Sequence, residues 1–172
     1  MDKKFDIIIY GATGFTGKLC VKYLSKNAND INWAIAGRNR GKLEDLKNNL
    51  SLDVDIFIAD CDDNEALDEI TKNTKVVLST AGPFHRYSSN LVKSCVKNFS
   101  HYVDITGEFF WIREMIDLHH KEASSKGIRI IPACGYDSIP SDLGTFFASS
   151  KINGPVKRIE SFHAGQGGVS GG

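Results

Sequence analysis

The sequence predicts an α/β fold built on a doubly wound parallel sheet. Short apolar runs rich in β-branched residues alternate with stretches of helical periodicity. The runs are nearly continuous rather than alternating, as strands covered on both faces are. The glycines gather in short motifs at the ends of these runs. Right-handed crossovers between such strands wind the sheet in both directions.

Phe5 to Tyr10 (FDIIIY) is the first strand, and Leu19, Cys20, Tyr23 and Leu24 then mark the inward face of a helix. Ile31 to Ala36 is the second strand, followed by a helix with Leu43, Leu46 and Leu50 on one side. Val54 to Ala59 is the third, followed by a short acidic helix carrying Leu67 and Ile70. Lys75 to Ser79 is the fourth strand, and Leu91, Val92, Cys95, Val96 and Phe99 form the cleanest amphipathic stripe in the chain. Tyr102 to Ile105 is the fifth, and a helix with Ile112, Ile116 and Ala123 follows until Gly127 ends it. Ile128 to Pro132 is the sixth. Pro140 then opens a helix, with Asp137 or Ser138 near its cap and Leu143, Phe146 and Phe147 turned inward.

Asn153-Gly154-Pro155 breaks the chain, and Val156 to His163 resembles one more strand before a glycine-rich end. The expected organisation is a dinucleotide-binding domain over residues 1–150 and, over 151–172, the start of a truncated second, substrate-facing domain. The edge of that last strand would be mobile or would pair with another copy, so a homodimer is a candidate assembly.

The chain has 172 residues, 41% hydrophobic and 24% charged, an ordinary globular balance. Lys plus Arg number 21 and Asp plus Glu number 21, so no basic excess points to a nucleic-acid partner. The four cysteines are scattered at Cys20, Cys61, Cys95 and Cys134, which reads as reduced core residues in a cytoplasmic setting. Asp6 and Gly11 interrupt the N-terminal apolar run, arguing against a secretory signal. No segment of this sequence approaches the ~18 apolar residues of a membrane span.

The first strand runs straight into Gly11-Ala12-Thr13-Gly14-Phe15-Thr16-Gly17, and a helix follows. This strand–turn–helix context is the one a dinucleotide fingerprint requires. The first glycine permits a tight turn, the second lets backbone approach a pyrophosphate, and the third lets helix and strand pack closely. The helix start then offers N–H groups to the anion. The fold is therefore of Rossmann type. A phosphate-binding P-loop is excluded, because Lys18 precedes Leu19 and the glycine spacing is wrong.

About 20 residues past such a loop, an Asp or Glu would hold the ribose 2′-hydroxyl of NAD. Here Gly37-Arg38-Asn39-Arg40 stands there, and no carboxylate occurs between Asp30 and Glu44. An arginine suits a 2′-phosphate, so the expected cofactor is NADP rather than NAD. The alternative is that Arg38 and Arg40 are solvated loop charges. Asp60 ends the third strand, where it would either accept from the adenine amino group or cap the next helix. Ala81, Gly82 and Pro83, in Ser79-Thr80-Ala81-Gly82-Pro83-Phe84, end the fourth strand, where small residues let a cofactor pass close to the backbone.

Catalytic residues are not legible. The Tyr-x-x-x-Lys of short-chain dehydrogenases is absent: four places after Tyr10, Tyr23, Tyr87, Tyr102 and Tyr136 stand Gly14, Asn27, Leu91, Thr106 and Pro140. His119 and His120, adjacent on a helix and so about 100° apart, make no metal site. His85 lies just past the fourth strand and reads as a surface residue or a substrate neighbour. Glu108 either binds a substrate amine or caps a helix.

Together GATGFTG, AGRN, LSTAGPF, YVDITGE and GYDSIPSDLG, in this order and spacing, resemble the saccharopine dehydrogenase-like oxidoreductases. Those are relatives of saccharopine reductase and of the trans-acting enoyl reductases of lipid synthesis. The resemblance covers essentially the whole sequence and corresponds to the N-terminal part of a typical member. It implies an NAD(P)-dependent oxidoreductase with a small-molecule substrate, an imine or an activated double bond. It supports Gly11, Gly14, Gly17 and Arg38 as cofactor residues, and Ala81, Gly82 and Pro83 less strongly. Thr13, Phe15, Thr16 and Asn39 join them as neighbours in the two motifs. A fragment of this kind is expected to bind cofactor without turnover. The alternative is a non-catalytic NADP(H)-sensing module.

Overall fold

The computed structural model describes residues 2–164. Six parallel strands form one sheet: β1 (Phe5–Tyr10), β2 (Trp33–Gly37), β3 (Asp55–Ile58), β4 (Thr74–Ser79), β5 (His101–Asp104) and β6 (Ile130–Ile131). Their order is β3-β2-β1-β4-β5-β6. Seven helices connect or follow them: α1 (Phe15–Asn27), α2 (Arg40–Asn49), α3 (Asn64–Asn73), α4 (Phe84–Tyr87), α5 (Ser89–Lys97), α6 (Phe109–Ser125) and α7 (Ile139–Ser150).

The sheet is doubly wound, as expected. The chain builds outward from β1 through β2 to β3, then returns to lay β4 on the other side of β1. This reversal opens a crevice at the carboxyl ends of β1 and β4, where ligands bind in such sheets. Alternate side chains of β1 serve opposite faces. Ile8 and Tyr10 join Leu67, Ile70, Leu91 and Val92 from α3 and α5. Ile7 and Ile9 join Val21, Leu43 and Leu46 from α1 and α2.

Apart from β1, which falls where expected, strand boundaries shift by at most two residues from those expected. Ile31 stays outside the sheet and is exposed, so β2 starts at Trp33. β6 shortens to Ile130–Ile131, and the next residue, Pro132, has no N–H to donate.

Three helix faces differ from expectation. On α1, Leu19 and Tyr23 are exposed, while Gly17 and Val21 are buried. A Cβ on Gly17 would lie 2.2 Å from the Gly11 carbonyl oxygen, so this contact turns the stripe through Gly17 and Val21 inward. On α6, Trp111 and Met115 face the core and Ile116 is exposed. Phe99 falls beyond the end of α5 with φ +59° and lies outside the core, under the Lys126 ammonium.

The C-terminal expectations are corrected most. Leu143, Phe146 and Phe147 are exposed, and no residue of α7 is buried, because among the described residues no element packs closely against it. Ser138 holds the N-cap position, but its side chain makes no capping bond. Val156 to His163 forms no strand and is exposed, having no neighbour to pair with. The glycine-rich end from residue 165 lies outside the described residues.

Candidate functional site

The crevice holds a cavity of about 210 Å³ lined by residues from four strand ends. Tyr10, Gly11, Thr13 and Gly14 come from β1 and its loop, and Gly37 and Arg38 from β2. Asp60 and Cys61 follow β3; Thr80, Ala81, Gly82 and Tyr87 follow β4.

The glycine loop is built by close approach. Gly11 has φ +82°, and a Cβ there would lie 2.9 Å from the Ala81 nitrogen. Only a glycine lets the two loops meet at this distance. The N–H groups of Gly11 and Ala12 both donate to Ala36 O, at 3.0 and 3.2 Å. On the other side, Thr80 N donates to Tyr10 O at 2.9 Å, and its hydroxyl lies 3.2 Å from Tyr10 O and 3.1 Å from Gly11 O. Gly14 is different: a Cβ there would meet only Gly11 O, at 3.3 Å, and would otherwise project into open space. Gly14 is also the N-cap of α1, which has no side-chain cap and no acid in its first turn. The first N–H groups of a helix lack partners within it, so this end can receive an anion.

At the opposite wall, Arg38 is exposed beyond the end of β2, with no carboxylate within ion-pair distance among the described residues. Asp60 does not cap α3; Asp63 does, accepting from Ala66 N at 3.0 Å. Asp60 instead accepts from the Cys61 thiol at 3.3 Å and from Asp62 N at 3.4 Å. These bonds, with the nearby Arg38 charge, hold its carboxyl below the usual range. Burial and the Asp60 carboxylate push the Cys61 thiol up to about 11, so it is no thiolate nucleophile at neutral pH. Burial raises Tyr10 likewise, and its hydroxyl points to Ala59 O at 3.4 Å.

Gly11, Thr13, Gly14, Arg38, Asp60, Ala81 and Gly82 thus meet on one cavity. Five other residues named from the sequence do not line it. Phe15 projects outward, and Thr16 is half-buried in the first turn of α1. Gly17 lies beneath the loop as a packing contact. Asn39 uses its side chain to cap α2, accepting from Lys42 N at 3.0 Å. Pro83 precedes α4, and its carbonyl accepts from Arg86 N and Tyr87 N. Tyr10, Gly37, Cys61, Thr80 and Tyr87 were not among the expected site residues. Tyr10 had a signal, since it immediately precedes the loop; Tyr87 sits on the short α4, which has no periodicity to read.

Glu108 is a cap. Its carboxylate accepts from Phe84 N at 2.8 Å, His85 N at 2.9 Å and His85 Nδ1 at 2.6 Å. Burial alone would raise its pKa, but these bonds outweigh that and lower it. Behind this edge, Asp104 is buried and accepts from Tyr102 OH at 2.8 Å and from the N–H groups of Thr106 and Ala133 at 3.0 Å each. Burial dominates there and raises its pKa.

The arrangement can hold an extended anionic ligand across β1 and β4, with one end at Arg38 and Asp60. Known proteins share the chain's sequence and its fold. A trans-acting enoyl reductase of Mycobacterium leprae is 41% identical over 147 residues, covering 84% of this chain and 35% of that protein. A lipid droplet localized protein of Caenorhabditis elegans is 37% identical over 168 residues, covering 92% of this chain and 39% of that protein. The chain therefore spans well under half the length of these relatives. Among solved structures, apo saccharopine dehydrogenase (L-Glu forming) from Saccharomyces cerevisiae shares the fold at 22% identity. Its TM-score is 0.71, covering 86% of this chain and 31% of that one. The family described as saccharopine dehydrogenase NADP binding domain matches residues 7–131, from β1 to the end of β6 and so across all six strands. On that match, which includes every strand end that lines the cavity, the chain belongs to the saccharopine dehydrogenase NADP-binding domain family.

Proposed function

We propose that the cavity binds NADP(H) and that the chain is the cofactor-binding part of an oxidoreductase acting on an imine or an activated double bond. The observation that carries this is the open face of Gly14. It keeps a side chain out of the cavity, beside an uncapped helix start, with an arginine and no carboxylate at the end of β2. Gly11, Thr13 and Gly14 would hold the pyrophosphate. Arg38 would meet the 2′-phosphate and Asp60 the adenine amino group. Ala81 and Gly82 would let the ligand pass close to the backbone.

When bound, the cofactor supplies or accepts a hydride. The chain's own part is to orient it and to neutralise its phosphates. None of the titratable groups lining the cavity is assigned a proton-transfer role. Tyr10 and Cys61 are held protonated, and Asp60 is held ionised on the Arg38 side. The substrate side of the reaction is therefore assigned to a further domain, for which 151–172 would be the beginning. The relatives named as reductases support the oxidoreductase reading, and the four free cysteines favour a reducing, cytoplasmic setting.

Calorimetric titration with NADPH and NADH tests the binding, and NADPH oxidation with an added imine or enoyl thioester in a longer form of the protein tests the reaction. Tight NADPH binding by the 172 residues, with turnover only in the longer form, is the expected result. No binding of either cofactor would overturn the reading.

A further inference from the structure

The residues lining the cavity follow the order of the strands. Asp60 follows β3, Arg38 follows β2, the glycine loop follows β1, and Ala81 and Gly82 follow β4. A dinucleotide with its adenine end at Arg38 and Asp60 and its pyrophosphate on the glycine loop therefore extends its nicotinamide end towards β4 and β5. Past Gly82, that part of the carboxyl edge carries His85 of α4 and Glu108 of the loop after β5, 2.6 Å apart.

This pair is more ordered than a helix cap requires. Glu108 Oε1 accepts from Phe84 N, and Oε2 accepts from both the main chain and the ring of His85. The two main-chain bonds complete the cap without the imidazole. A carboxylate only accepts, so His85 Nδ1 carries the proton in their bond and Nε2 is the position that gains and loses one. Nε2 has no hydrogen-bond partner among the described residues, and the side chain is 40% exposed. The Phe110 ring, 5.6 Å from the imidazole between centroids, restricts its turning. Glu108 is itself held from below. Its N–H donates to Thr106 Oγ1 at 3.0 Å, and Thr106 N donates to the buried Asp104 at 3.0 Å. The imidazole thus stands on a chain of bonds reaching into the sheet, the kind of support that a precisely placed reactive group needs. Neighbouring groups lack this freedom at one end and support at the other. Asp104 is buried with three donors on it. The Cys134 thiol is pushed up by burial and by the Asp104 charge, and it donates to Ile131 O at 3.3 Å.

We infer that His85, through Nε2, is the proton donor beside the nicotinamide, with Glu108 fixing its tautomer and direction. The inference rests on the NADP(H) oxidoreductase reading and gives this chain one group on the substrate side, outside the lining of the cavity. Reduction of an imine or an activated double bond needs a hydride on one atom and a proton on its neighbour. NADPH provides the hydride and is oxidised to NADP+. The π pair of the acceptor moves to the second atom, which bonds the proton as the Nε2–H bond of the imidazolium breaks. The neutral imidazole then takes a proton back from water.

Two measurements test this, one of them without turnover. The 172-residue chain is titrated with NADP+ and with 2′,5′-ADP, which lacks the nicotinamide, and the histidine ring protons are followed by NMR. The His85→Gln variant assigns the His85 signals. They should shift with NADP+ and stay in place with 2′,5′-ADP. Glycine-loop amides that respond to NADP+ while His85 does not would remove His85 from the nicotinamide and leave cofactor binding intact. In the longer form of the protein, His85→Gln keeps a side-chain donor for Glu108 but has no proton to give. It should lower kcat for reduction of an imine or an enoyl thioester by about 100-fold or more, with NADPH affinity unchanged. Full turnover by the variant overturns the proton-donor role alone. A chain that binds neither nucleotide, or a longer form that reduces neither acceptor, overturns the role and the reading beneath it together.

Discussion

Glu108 and His85 meet across the carboxyl edge of the sheet, with the Glu108 carboxylate taking the His85 ring nitrogen at 2.6 Å and its backbone N–H at 2.9 Å. One carboxylate thus fixes the start of α4, immediately after the segment that lines the cavity. Glu108→Gln keeps one acceptor oxygen and loses the charge. It should lower stability by about 1–2 kcal/mol at pH 7 in urea unfolding. The lowered folded-state pKa gives a contribution that is present above the ordinary carboxylate value and lost as pH falls through the folded one. The gap between wild type and variant should therefore close in acid. A gap that widens on acidification would refute the capping role.

Asp104 has the opposite sign. Its folded-state pKa is raised, so its contribution is fully present below the ordinary carboxylate value and lost as pH rises through the folded one. Asp104→Asn can retain the bonds from Thr106 N and Ala133 N and let the Tyr102 hydroxyl turn to accept. It should gain on wild type as pH rises from 4 to 8. Asp104→Ala leaves two buried donors, Tyr102 OH and Thr106 N, and the half-buried Ala133 N unmatched, and should cost about 2–5 kcal/mol by denaturant titration. Equal losses in both variants would contradict this account.

Gly14 and Gly17 separate binding from folding. Gly14→Val should abolish cofactor binding while circular dichroism and melting stay near wild type, because the added group meets open space apart from Gly11 O. Gly17→Ala should destabilise the fold by several kcal/mol, since its methyl would sit 2.2 Å from backbone that cannot move freely. A Gly14→Val protein that binds normally would make the loop a structural turn.

Arg38→Ala should reduce the preference for NADPH over NADH by about tenfold, leaving the melting temperature unchanged because the side chain is exposed and forms no ion pair within 4 Å among the described residues. An unchanged preference would remove Arg38 from the 2′-phosphate.

Strands were legible because burial on both faces writes itself as uninterrupted apolar residues; Phe5–Tyr10 coincides with β1 at both ends. Helix faces were less so. Leu19 and Tyr23 are as apolar as Val21, and only the contact between Gly17 and Gly11, invisible to periodicity, selects the stripe. The same limit applied to α7, whose apolar spacing reads as an inward face although its residues are exposed. In the site, residues whose role follows from backbone position, such as Gly11 and Gly14, were readable. Asn39 was not: its place beside Arg38 read as a cofactor contact, and the structure instead puts its side chain 3.0 Å from Lys42 N as the cap of α2. Tyr87 reaches the cavity from a four-residue helix that no repeat announces.

Thr80 bonds by main chain and hydroxyl to the carbonyls of two residues some seventy positions earlier. The two walls of the cavity are thereby riveted together by the protein's own bonds. A ligand entering such a crevice orders little chain, and little of its binding energy is spent on assembling the receptor. Thr80→Val would remove the two hydroxyl bonds and keep the main-chain one, loosening the join between the walls, and the cost would appear first in how fast a ligand escapes.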